Sequence, residues 1–144
     1  MLNIDQTFKE KLNDFIKSEI IPFHQEWEDN GLVDRKLFLK AGKEGFLCPS
    51  IPQEFGGKGY PFRYNAFITQ ELTKHGATGP MFYIQSNIIA PFLNKFSSDF
   101  IKGKYIPKLV SGESIGAMAN SEQIAGSDFS LLQTEAKEVD GGFI

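Results

Sequence analysis

Apolar residues recur at three- and four-residue steps from the start of the chain. Phe8, Leu12, Phe15, Ile16 and Ile20 mark one face of an amphipathic helix over residues 5–21. Pro22 ends or bends it, because proline restricts the residue before it and cannot donate a backbone hydrogen bond. A shorter helical stretch at 24–29 runs into Asn30-Gly31, a stop signal. Asp34 is a good N-cap for a further helix that carries Leu37, Phe38 and Ala41 and stops near Gly45. The pattern then breaks. Gly45, Pro49, Pro52, Gly56, Gly57, Gly59 and Pro61 crowd into residues 45–62, a long irregular connection of a length that tends to be functional.

Helical periodicity returns at 64–74 with Phe67, Ile68, Glu71 and Leu72, and His75-Gly76 closes it. Over 80–93, Phe82, Ile84, Ile88, Ile89 and Phe92 leave little polar face, which predicts a central, buried helix whose last turn is trimmed or kinked by Pro91. Ser97-Ser98-Asp99 caps a helix that reaches Val110, interrupted at Pro107, and Ser111-Gly112 breaks it. From there the period changes. Residues 115–119 form an apolar run of strand length, 131–139 alternates in part, and Asp140-Gly141-Gly142 is a hairpin turn signal. Helices followed by strands predict α+β organisation or two domains, divided here as 1–112 and 113–144. The hairpin turn is followed by only Gly142, Phe143 and Ile144, so its second strand reads as unfinished and the chain as truncated at that end.

Composition narrows the function classes. An apolar fraction of 41% and an aromatic fraction of 13% support a real core, and 14 phenylalanines suggest more apolar surface than one small domain covers by itself. A formal charge of -3 with dispersed Lys and Arg argues against a nucleic-acid partner. No apolar run approaches the ~20 residues of a membrane span. Residues 1–10 show no signal or transit pattern, so the default expectation is a cytoplasmic protein. The single cysteine, Cys48, allows no internal disulfide and no Cys cluster for zinc, and beside Pro49 it reads as a small buried hydrophobe rather than a nucleophile.

Three segments in order carry a family resemblance. Glu44-Gly45-Phe46-Leu47 with Ile51-Pro52-Gln53-Glu54-Phe55-Gly56-Gly57-Lys58-Gly59 is similar to a stretch of acyl-CoA dehydrogenases. Lys104-Tyr105-Ile106-Pro107-Lys108-Leu109-Val110-Ser111-Gly112-Glu113 resembles a second. Ile115-Gly116-Ala117-Met118-Ala119-Asn120-Ser121-Glu122-Gln123-Ile124-Ala125-Gly126-Ser127-Asp128 resembles the signature that opens that family's middle domain. Residues 21–44 look most like the long-chain branch. The resemblance implies a mainly α chain: the N-terminal helical domain of the acyl-CoA dehydrogenase fold, followed by the first strands of its middle β domain. It also implies an FAD cofactor, an acyl-CoA substrate converted to a trans-2-enoyl-CoA, electron-transfer flavoprotein as electron acceptor, and a homo-oligomer, expected to be a tetramer. The general base implied by the family is a carboxylate in a C-terminal domain outside these residues.

By the same resemblance Met118, Asn120 and Ser121 face the flavin, with Ser121 keeping the hydroxyl where the family usually has Thr. Gly126 and Ser127 approach the pyrophosphate, with Ser127 also on the acyl-CoA side. A strand end with amides aimed at a flat, acceptor-ringed heterocycle suits that cofactor. A glycine beside a hydroxyl suits an anion approached closely by backbone. The bland reading of 126–128 is a surface Gly-Ser-Asp turn. Gln123 and Ile124 depart from the family pattern of Pro and a small residue. Were Ile124 to need a positive φ, it would cost roughly 1–2 kcal/mol. Glu71 is expected to be a structural or substrate-side residue, and His24 and His75 to be capping or surface residues. The helix at 81–92 reads equally as the lining of an acyl tunnel and as core. Two further readings stay open: an acyl-CoA oxidase or flavin monooxygenase on the same fold, and a non-catalytic helical module that binds an acyl group or partner.

Overall fold

The computed structural model describes residues 3–144. Helix α1 is Gln6–Phe15, opened by Asp5, whose carboxylate accepts the Phe8 N–H at 3.0 Å. Pro22 does not end the helix, which was one of the two outcomes expected of it. The chain widens into a π-turn, Ile16–Ile20, and continues as α2, Ile21–Asn30, until Gly31 adopts φ 64. The same device recurs later. A π-turn at Ile84–Ile89 leads into α5, Ala90–Phe96, with Pro91 in its first turn. In both places the residue just before the proline donates five residues back, Ile21 to the Ile16 carbonyl and Ala90 to the Gln85 carbonyl. A proline has no N–H and its ring presses on the carbonyl four residues back, so a widened turn lets the helix pass through it.

Helix α3, Arg35–Glu44, starts on Asp34, which accepts the Lys36 N–H at 2.9 Å, and ends on Gly45 at φ 79. Helix α4 is Arg63–Lys74 and α6 is Asp99–Ser111. Pro107 lies inside α6 without interrupting it, which corrects the sequence expectation. The connection at 45–62 is irregular as expected, with one short 3-10 turn at Gln53–Phe55.

Leu12, Ile16, Ile20, Phe38, Phe46, Leu47, Ile51, Phe82 and Ile106 form the centre of one core. Phe46 takes an edge contact from Phe8 at 5.6 Å and a tilted contact from Phe15 at 5.1 Å. Burying each such side chain contributes about 1.5–3 kcal/mol. The helix at 80–93 departs from its expected all-round burial. Gln85 and Ser86 turn inward beside Phe82 and Ala90, while Ile88 and Phe92 are exposed. The π-turn shifts the angular register, so a pattern read at 3.6 residues per turn puts the wrong residues inside.

The strand expected at 115–119 is not one. Among the described residues the strands are β1, Glu138–Val139, and β2, Gly142–Phe143, paired antiparallel with Glu138 opposite Phe143. The turn at Asp140-Gly141 forms as its signal implied, with Gly141 at φ 84. A strand exists only through a ladder partner, and 115–119 has no neighbouring strand. Residues 126–144 are exposed throughout, so the partial alternation at 131–139 finds nothing to pack on.

Candidate functional site

The segment with the candidate chemistry leaves the end of α6, and several contacts fix its course. Gly112 turns the chain at φ 78, and a Cβ there would sit 2.1 Å from the Phe38 carbonyl oxygen. Facing it, a Cβ on Gly42 would sit 2.2 Å from the Ser111 carbonyl oxygen, so α3 and the end of α6 touch backbone to backbone. Arg35 donates to the Glu113 carbonyl, and the Ser114 N–H reaches the Lys108 carbonyl at 3.0 Å. Gln85 then accepts the Gly116 N–H at 2.9 Å.

Beyond Gly116 the backbone is open. Among the described residues, the N–H groups of 117–121 have no acceptor within the chain. Met118 and Ser121 are exposed and Asn120 is half-buried, so this stretch presents donors, a hydroxyl and an amide at the surface. A flat partner rich in acceptors fits such a row. The loop that follows closes on itself through reciprocal bonds between Glu122 and Ala125, 3.0 and 3.2 Å, around a buried Ala125. Positive φ among non-glycine residues occurs at Cys48 and Met81, so Ile124 does not carry the left-handed cost considered for it. Gly126 and Ser127 are exposed, and a Cβ on Gly126 would meet nothing within 4 Å. Nothing in the chain itself therefore requires glycine there; a close approach would have to come from a ligand.

Two carboxylates near these residues organise the loop. Glu122 accepts the Gln133 N–H at 2.8 Å, the Thr134 N–H at 3.0 Å and the Thr134 hydroxyl. These donors, the Thr134 hydroxyl first, hold its carboxyl below the ordinary glutamate range. Asp128 accepts the Ser130 hydroxyl at 2.6 Å and its N–H at 3.0 Å, which holds its carboxyl low as well. Sequence reasoning missed Glu122. Its partners lie eleven and twelve residues away, and no local motif marks such a brace.

Segment 115–118 also walls a groove of about 600 Å³, across from Tyr83, Ile84 and Ile88. Other candidates resolve as structural. The Cys48 thiol is buried and pushed up to about 12 by that burial. Glu71 is buried and paired with Lys74 at 2.6 Å. His24 accepts the Gly79 N–H at 3.2 Å, and His75 bonds Asn13 at 3.2 Å. Among the described residues no cluster is placed to hold a metal, and no helix is long and apolar enough to cross a membrane.

Comparison with known proteins decides the family. Residues 4–113 match the family described as acyl-CoA dehydrogenase, N-terminal domain. The chain belongs to the acyl-CoA dehydrogenase family. It is 36% identical over 137 residues to the mitochondrial long-chain specific acyl-CoA dehydrogenase of Rattus norvegicus, covering 95% of this chain and 32% of that protein. It therefore spans about a third of the length of the curated relative it matches. An acyl-CoA dehydrogenase structure from Geobacillus kaustophilus superposes with a TM-score of 0.88 at 30% identity, over 99% of this chain and 38% of that one. A structure described as the electron transferring flavoprotein of Acidaminococcus fermentans gives 0.87 at 28% identity, over 100% and 39%. The mainly helical fold is thus that of the acyl-CoA dehydrogenase N-terminal domain, and the long-chain likeness of 21–44 agrees with the relative from rat.

Proposed function

We propose that this chain supplies the helical wall and the first flavin-facing segment of an FAD-dependent acyl-CoA dehydrogenase that converts acyl-CoA thioesters to trans-2-enoyl-CoA. The observation that carries the reading is the row of unpaired N–H groups at 117–121 beside the Ser121 hydroxyl, held at its root by Gln85. FAD bound there would supply the hydride acceptor for the reaction. Met118 and Asn120 would border its ring, Ser121 would donate to an acceptor on its edge, and Gly126 with Ser127 would meet the pyrophosphate and the acyl-CoA. The groove beside Tyr83, Ile84 and Ile88 is the right size and character for an acyl chain.

Glu122 and Asp128 are weak bases, because each carboxylate is already stabilised by donors. As the family resemblance implies, the α-proton would be abstracted by a carboxylate outside residues 1–144. Residues 1–112 form the helical domain and 113–144 begin a second one, in keeping with the burial that falls away after Gly112. Electrons leave to electron-transfer flavoprotein, and the working form is a homotetramer. The compartment inferred from the sequence is the cytoplasm, whereas the rat relative is named mitochondrial. Fractionation of the source cells decides between them.

The test is to purify the native protein that carries this chain, measure its flavin content and assay acyl-CoA thioesters of graded length with an artificial electron acceptor. Bound FAD and acceptor-dependent enoyl-CoA formation support the reading. A flavin-free protein overturns it, and turnover that consumes dioxygen without added acceptor replaces it with an oxidase.

A further inference from the structure

Gln85 is an unexpected occupant of a helix interior, 2% exposed with an amide that has both donors and an acceptor to satisfy. Both ends of it are used. Its Nε2 donates to the Leu109 carbonyl in the last turn of α6, and its Oε1 accepts the Gly116 N–H at 2.9 Å. These two backbone groups flank the reversal at Gly112. The π-turn supports the arrangement: the Ala90 N–H takes the Gln85 carbonyl, and the adjacent Ser86 hydroxyl accepts the Cys48 N–H at 2.9 Å. The Ser86 carbonyl accepts the Asn65 side-chain amide at 2.8 Å. Gln85 therefore stands on a base tied to α4 and to the 45–62 connection.

We propose that Gln85 is a positioning residue, which fixes the backbone at 115–118 so that the donors of 117–121 are presented in one course. Their presentation to a flavin rests on the reading above; the positioning itself does not. A residue that merely fills the core would be replaceable by an apolar side chain of its size, with stability the quantity that changed. A positioning residue acts locally, on Gly116 and the backbone just beyond it.

The 144-residue chain is compared with Gln85→Met and Gln85→Glu by residue-resolved amide exchange at about pH 5, where a buried carboxyl is neutral and regains both a donor and an acceptor. Parent and variants are also titrated with FAD, followed by flavin fluorescence. In Gln85→Met the Gly116 amide should exchange at least about tenfold faster while α1 and α3 stay within about twofold. Gln85→Glu should restore Gly116 protection. Gly116 exchange unchanged in Gln85→Met overturns the proposal, as does acceleration in α1 and α3 in step with Gly116. A Glu variant that behaves like the Met variant overturns it too; if it does not fold at that pH, the Met variant alone decides. Where the parent chain binds FAD, Gln85→Met should weaken binding at least about fivefold, and equal binding overturns the link to the site. A parent that binds no FAD counts against flavin binding by this chain alone, and the exchange result still decides the role of Gln85.

Discussion

Gln85 and Gly116 meet through one side chain-to-backbone bond of 2.9 Å, and the glycine end of it has no space to spare. A Cβ on Gly116 would lie 2.9 Å from Ile89 Cδ1, 3.3 Å from Ile89 Cγ2 and 3.4 Å from Leu109 Cδ2. A methyl could be absorbed by the tip of Ile89, but a branched side chain could not. Gly116→Val should destabilise the chain by about 1–3 kcal/mol, the usual cost of overpacking. Urea denaturation measures it. An unchanged midpoint would mean that the segment is free to move away from Ile89.

Glu122 ties the loop after Ser121 to Gln133 and Thr134, and that tie depends on its charge. Its folded carboxyl titrates below the ordinary value of 4.5, so the favourable contribution is present above that value. It is lost as pH falls through the lowered folded value. Amide protection at Gln133 and Thr134 should therefore hold at neutral pH and fade in acid, while the amides of α1 keep theirs. Glu122→Gln should shift the loop amides toward the acid pattern at neutral pH. Protection at Gln133 that does not depend on pH would remove the brace.

How far the sequence could be read depends on the range of each interaction. Asp5, Asp34 and Ser98 cap helices through bonds that span two or three residues, so the helix starts were legible. Gly31, Gly45 and Gly112 stop helices by their own backbone freedom, and those ends were legible too. The helix stops read from Pro22 and Pro91 did not form, because a π-turn upstream of each lets the helix continue, and no residue type announces a π-turn. That turn also put Gln85 and Ser86 inside where Ile84 and Ile88 were expected. The segment 115–119 has the residues of a strand and no partner strand, which composition could not reveal. Met118, Asn120 and Ser121 were singled out only through resemblance. Gln85 and Glu122, which hold their backbone, act across 31 and 11 residues and left no local trace.

Cys48 offers a check on the core that needs no ligand. Burial pushes its thiol from an ordinary 9.0 to about 12, so the folded chain keeps it neutral. That preference is fully satisfied below pH 9 and becomes a destabilising load as pH climbs from 9 toward 12, where the unfolded chain ionises first. The thiol should resist iodoacetamide at pH 8 in native buffer and react at the free-thiol rate in denaturant. Rapid modification of the native chain would show that the Cys48–Ser86 contact opens readily.

Ser121 is the side chain whose removal bears most directly on the proposed cofactor. Its hydroxyl is exposed beside a row of unpaired N–H groups, and among the described residues no hydrogen bond occupies it. In the native protein that carries this chain, Ser121→Ala should weaken FAD retention by about 0.5–1.5 kcal/mol, the worth of one neutral hydrogen bond. Flavin content after dialysis, against the parent protein, reads this out. Equal content would take Ser121 off the site while leaving the backbone donors on it.

Little of the folded core depends on residues after Met118. From 119 onward Ala125 is the one buried apolar residue, and β1 with β2 forms a ladder of two residues on each side. A two-stranded ribbon of that size is at best marginal by itself in water. The holds on the preceding segment, Arg35 on Glu113 and Gln85 on Gly116, all lie before Met118. A chain ending at Met118 should therefore keep its helical circular dichroism per helical residue and melt within about 2–4 °C of the 144-residue chain, the shift that about 1 kcal/mol produces in a domain of this size. Ending the chain at Gly112 should cost more, because it removes the Gln85–Gly116 and Arg35–Glu113 bonds together, each worth about 0.5–1.5 kcal/mol. Equal melting of the two shortened chains would show that these two bonds together contribute nothing net. A collapse of the chain ending at Met118 would show that residues 119–144 lend the helices support beyond that of the Ala125 contact.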